Sequence, residues 1–99
     1  APATLRLRWP DVAVEALRRE GGCVYCRHRS TGRVFWVPEA LLYERQDSLR
    51  CGDFTDEQLE VREGERLSLV CSTARGSYVK KDSVCGWYYG RLAPAQVSR

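Results

Sequence analysis

The sequence predicts a mainly β domain, a small barrel or roll with one N-terminal α-helix over about residues 11–20. Three observations predict it. Short runs rich in β-branched and aromatic residues follow one another from Cys23 onward, with turn residues between them. Asp11 to Glu20 carries apolar residues at helical spacing and stops at Gly21-Gly22. The chain has 99 residues, room for a single hydrophobic core. The expected division is a strand-helix extension over 1–22 and a β domain over 23–99.

Leu5-Arg6-Leu7-Arg8-Trp9 alternates apolar with basic residues, a strand pattern with Leu5, Leu7 and Trp9 on the buried side. In the predicted helix Asp11 serves as N-cap after Pro10, and Val12, Ala13, Ala16 and Leu17 share one face. Glu15 and Arg19 stand four apart as an ion pair. Cys23 to His28 and Arg33 to Val37 make a hairpin around Ser30-Thr31-Gly32. Pro38 ends it, and Glu39 to Tyr43 is either a brief helical turn or a short strand. The polar stretch from Arg45 to Asp56 is expected to be a long loop. Gln58 to Arg62 is extended and turns at Glu63-Gly64. Glu65 to Cys71 alternates with Leu67, Leu69 and Cys71 inward. Ser72 to Ser77 is a loop, Tyr78 to Lys81 a strand, and Gly86 to Gly90 a short aromatic strand. Ala93 to Val97 holds no long element, and no segment repeats another.

Composition is that of a globular domain, with 43% hydrophobic and 29% charged residues. Sixteen basic residues against thirteen acidic give +3, too small an excess for a dedicated nucleic-acid arm. No stretch approaches the ~20 apolar residues that span a membrane as a helix. A chain that starts at Ala1 reads as excised from something longer. Five cysteines, an odd number, fit a reducing, cytoplasmic compartment better than a secreted one, with secretion as the alternative.

Cys23-x-x-Cys26 with His28 is the one metal candidate, since two thiolates at that spacing can bite a tetrahedral zinc. The second pair of a zinc ribbon is missing, and residues three apart on a strand point to opposite faces, so no metal or other cofactor is assigned. No catalytic set assembles either: the single histidine stands two residues from Cys26, without an orienting group. Arg27, His28, Arg29 and Arg33 beside Tyr25, Phe35 and Trp36 form a basic, aromatic hairpin. It would suit nucleic acid, but also suits a soluble hairpin with an aromatic core side.

Asp56-Glu57-Gln58-Leu59-Glu60-Val61-Arg62-Glu63-Gly64-Glu65-Arg66-Leu67-Ser68-Leu69-Val70, a loop, then Gly86-Trp87-Tyr88-Tyr89-Gly90-Arg91-Leu92, resembles the Src-homology-3 (SH3) pattern. That pattern has an acidic loop, a Gly-Glu turn, an apolar strand and a Gly-Trp strand. Ala40-Leu41-Leu42-Tyr43 stands where the family opens, so the likeness spans about residues 40–97. Cys51 and the Tyr88 to Leu92 string are also similar to the secreted melanoma-inhibitory-activity family. The interval from Trp87 to Pro94 is too short for a further strand. Gly32 to Leu41, which looks like the family's ending, lies upstream, so the hairpin either finishes the barrel in a rearranged strand order or closes a preceding half-module.

The resemblance implies an SH3-like barrel and a non-enzymatic protein-protein interaction module that binds a proline-rich peptide or partner protein through an aromatic and acidic surface. It implies Trp87 as the central aromatic ridge, flanked by Tyr89, Pro94 and Tyr43, with Asp53, Asp56 and Glu57 as the acidic anchor. Core packing is the plainer role for Trp87. Two alternatives come from other features. One is a cysteine-stapled secreted binding domain with Cys71 and Cys85 closing a loop. The other is a zinc-assisted nucleic-acid binder built on Cys23, Cys26 and His28.

Overall fold

The computed structural model describes residues 12–52 and 54–98, so the expected Leu5 to Trp9 strand, Asp11 and Asp53 lie outside the described residues. Nine strands occur among them: β1 (Val12–Glu20), β2 (Cys23–His28), β3 (Val34–Pro38), β4 (Leu42–Arg45), β5 (Ser48–Cys51), β6 (Leu67–Ser72), β7 (Ser77–Lys81), β8 (Val84–Tyr88) and β9 (Val97–Ser98). Two single 3-10 turns, Glu39–Leu41 and Pro94–Gln96, complete the regular structure. One sheet has the order β3-β2-β1-β5-β4 and the other β8-β7-β6-β9.

The predicted helix over 11–20 is a strand. Its apolar residues satisfy two periods at once, and pairing decides between them: Val12 and Val14 alternate into the core, and residues 14 to 20 pair antiparallel with β2. Gly21-Gly22, read as a helix stop, is the two-residue turn of that hairpin, with φ of 56° and 84° at its central positions. Glu20 faces Cys23 across it. A bulge between Ala16 and Arg18 breaks the alternation, so β1 leaves the core after its first half.

The barrel expectation also gives way, because the strands among the described residues form two separate sheets and no closed ring. The sheets meet through side chains. Phe35 of β3 stacks on Phe54 at 5.8 Å, Phe54 meets Tyr78 at 5.6 Å, and Tyr78 takes Trp87 edge-on at 5.1 Å. Val14, Val24, Cys26 and Val37, all fully buried, fill the first sheet's inner side.

The 45–56 stretch contains β5, which pairs with β4 through a tight turn at Gln46-Asp47, φ 53° and 62°. Neither residue advertises a hairpin as Asn-Gly does. Glu39 to Tyr43 resolves into a 3-10 turn followed by the first residues of β4. The β2–β3 hairpin, β6 and β7 form close to where the sequence puts them, whereas β8 spans Val84–Tyr88, two residues before the expected Gly86 to Gly90 strand. The tail supplies β9, parallel to β6.

Candidate functional site

A groove of about 290 Å³ runs between β3 and the loops at one end of the second sheet. Tyr25, Val34, Phe35 and Trp36 form one wall, and Thr73, Arg75, Trp87 and Tyr89 the other, with Asp56 between them. A second cavity of similar size, walled by Pro38, Leu41, Phe54, Val70, Tyr78 and Cys85, holds no charged side chain.

Each wall follows from local structure. Tyr25 and Trp36 are directly opposed on β2 and β3 and sit 5.1 Å apart on the outer face. The Arg18 guanidinium lies 5.2 Å from the centre of the Trp36 ring, a cation–π contact that holds the indole's orientation. On the other side the segment around residues 57–59 runs parallel to β8. The Trp87 N–H donates to the Glu57 carbonyl at 2.7 Å, and the Leu59 N–H donates to the Trp87 carbonyl at 2.9 Å. Gly86 permits this approach, because a Cβ there would stand 2.5 Å from the Glu57 carbonyl oxygen. Thr73 Oγ1 accepts from the Arg75 and Gly76 N–H groups, which fixes the loop that carries Arg75.

Asp56 is the chemically distinctive member. Partial burial raises its carboxyl to about 6, and it has no hydrogen-bond or ion-pair partner among the described residues. Burial, and then the Asp56 charge, raise the Tyr89 hydroxyl above its usual range, which puts the two groups within each other's field.

Of the residues expected from sequence, Asp56, Trp87 and Tyr89 come together here. Trp87 is only 4% exposed and belongs to the core as much as to the groove wall. Tyr89 is exposed. Glu57 contributes its backbone to the β8 contact and does not line the groove. Tyr43 stands exposed on β4 and Pro94 begins the second 3-10 turn; neither lines it. Sequence reasoning passed over Tyr25, Trp36, Thr73 and Arg75 as partners of this site. The first two belong to the basic, aromatic hairpin, and only tertiary structure lays that hairpin beside Asp56.

Cys23 is bonded to Cys71, so the Cys71–Cys85 closure of the cysteine-stapled alternative does not form. Cys26, Cys51 and Cys85 are free thiols. Burial pushes the Cys26 thiol up to about 11 and the Cys51 thiol to about 12, which keeps both protonated and unreactive. His28 is buried and its Nδ1 accepts the Thr31 N–H at 3.2 Å. With Cys23 in a disulfide, Cys23, Cys26 and His28 make no metal set, and no other cluster of three or more such ligands occurs among the described residues. No helix among them is long and apolar enough to cross a membrane. Comparison with protein-family models, curated proteins and solved structures finds no match to this chain.

Proposed function

We propose that the chain is a non-enzymatic protein-interaction module whose groove receives an extended segment of a partner protein, with a lysine or arginine of that segment set against Asp56. The observation that carries this reading is the convergence of five aromatic side chains on one part-buried carboxylate that has no ion-pair partner among the described residues. Aromatic walls supply contact area at low entropic cost, and a basic residue restores the solvation that Asp56 has lost. Proline-rich peptides are the class that the SH3 resemblance implies. Protein is favoured over nucleic acid because the groove holds a carboxylate, which repels phosphate, and because Arg27 of the basic hairpin is already paired with Glu15 at 2.9 Å. The Cys23–Cys71 bridge favours an oxidising compartment, so the module reads best as working outside the cytosol.

The test is a peptide-display selection followed by binding measurements on Asp56→Asn and Trp36→Ala. Each variant should bind selected peptides at least about tenfold more weakly, with an unchanged far-ultraviolet spectrum. Wild-type affinity should fall as pH drops through about 6, where Asp56 takes up its proton, and Asp56→Asn should lack that dependence. Retention of wild-type affinity by both variants would refute the reading.

A further inference from the structure

Building on that reading, we infer that the partner segment binds as an added β-strand on the free edge of β3, through the backbone groups of Val34 and Trp36. Three consecutive residues, Val34, Phe35 and Trp36, line the groove. Successive side chains of a strand point to opposite faces, so a space touched by three in a row lies along the strand's edge and not against one face.

Register shows which backbone groups look into it. The His28 N–H donates to the Arg33 carbonyl, which makes 28 and 33 a hydrogen-bonded pair. The pairing continues through Arg27 with Val34, Cys26 with Phe35, and Tyr25 with Trp36. Hydrogen-bonded and non-bonded pairs alternate in an antiparallel ladder. Phe35 and Val37 therefore bond to β2, while the N–H and C=O of Val34 and Trp36 point away from it. Pro38 occupies the next outward position, where its missing N–H costs no ladder bond.

The other edges are guarded among the described residues. β4 carries Glu44 and Arg45, β9 has two residues, and β8 is covered by the parallel bridge of Gln58 with Trp87. Among the described residues β3 is at the end of its sheet, with Val34 at 42% exposure, and carries no charged side chain along the edge. Native proteins usually blunt such an edge, so one left open beside an aromatic groove suits strand addition. The added strand then needs free N–H groups where it faces β3, a lysine or arginine toward Asp56, and tolerates an acidic residue near the exposed Arg75. This requirement separates it from a proline-rich ligand, whose backbone lacks those donors.

Amide exchange on the isotopically labelled chain tests it, alone and with two probes. One is an acetylated, amidated octapeptide of alternating valine and threonine with a central lysine; the other is a proline-rich peptide with one arginine. In the free protein the Val34 and Trp36 amides should exchange at least about a hundredfold faster than those of Phe35 and Val37. The lysine octapeptide should slow Val34 and Trp36 at least about tenfold and bind more tightly than the proline-rich one. If both amides are already protected in the monomer, the edge is covered and strand addition is wrong. Concentration-dependent dimerisation that protects them assigns the edge to a second copy and likewise overturns it. Binding of the proline-rich peptide with shifts at Asp56 and Tyr89, but unchanged exchange at Val34 and Trp36, rejects strand addition while the groove reading stands. Failure of both probes to shift any groove residue at millimolar concentration removes both.

Discussion

A carboxylate that has lost part of its hydration opposes folding whenever it is charged. Asp56, raised from an ordinary 3.8 to about 6, is such a group. A raised carboxyl means that the folded state holds its proton more tightly than the unfolded chain does. The stabilising contribution is complete below pH 4 and is lost as pH rises through 6. Asp56→Asn should therefore flatten the stability profile over that window. At pH 7 it should gain on the order of 1 kcal/mol after screening at this part-exposed site, measured by urea denaturation at several pH values. On the proposed reading the same substitution should weaken binding, the pattern expected of a binding residue that costs stability. Asp56 was legible in the sequence only as part of an acidic stretch. Nothing in local pattern marks it off from Asp53 or Glu57, because partial burial is set by Tyr89 and the aromatic walls.

At the level of elements, the β-rich character and most strands were readable, since alternation over Cys23–His28 and Leu67–Ser72 has one strong period. β1 was not, because Val12, Ala13, Ala16 and Leu17 fit a helix face and Val12 and Val14 fit a strand face. The hairpin turn at Gly21-Gly22 and the ladder to β2 decide the matter from outside the window. This turn also meets the second sheet: the Ser72 N–H donates to the Gly21 carbonyl at 3.0 Å, and the Glu20 carboxylate accepts the Ala74 N–H. A Cβ on Gly21 would stand 1.8 Å from the Ser72 carbonyl oxygen, at a φ that already disfavours side chains. Gly21→Ala should cost more than about 2 kcal/mol in a urea titration, since backbone must shift in both sheets to admit one methyl. A cost near that of an ordinary surface glycine would mean that the turn does not dock as described.

Across the whole molecule, the same order of elements occurs twice: three meandering strands, a 3-10 turn and a further strand, as β1 to β4 and as β6 to β9. No repeat shows in the sequence. Val37-Pro38-Glu39-Ala40-Leu41 and Ala93-Pro94-Ala95-Gln96-Val97 share only a proline and a closing aliphatic residue, and the last strands pair differently, β4 with β5 and β9 with β6. The two halves are tied by Cys23–Cys71, which spans 48 residues. Five cysteines at unequal spacing could not announce that pairing, because connectivity depends on which strands the fold brings together. Closing a loop of this length restricts the unfolded chain by about 4 kcal/mol on the chain-entropy account, a large part of a small domain's stability. Replacing both cysteines by alanine should lower the unfolding free energy by about that amount. Digestion without reductant should yield one linked pair of peptides, with Cys26, Cys51 and Cys85 alkylated after denaturation.

The bridge also sets how far the chain can be stretched. A pull applied to β1 and β9 passes through Cys23 and Cys71, whose Cα atoms are 5.6 Å apart, and the 48-residue span between them stays out of the line of force. Oxidised chain thus withholds roughly 170 Å of contour length that only a reductant releases. A tether of this kind lengthens in two steps, first by force and then by chemistry.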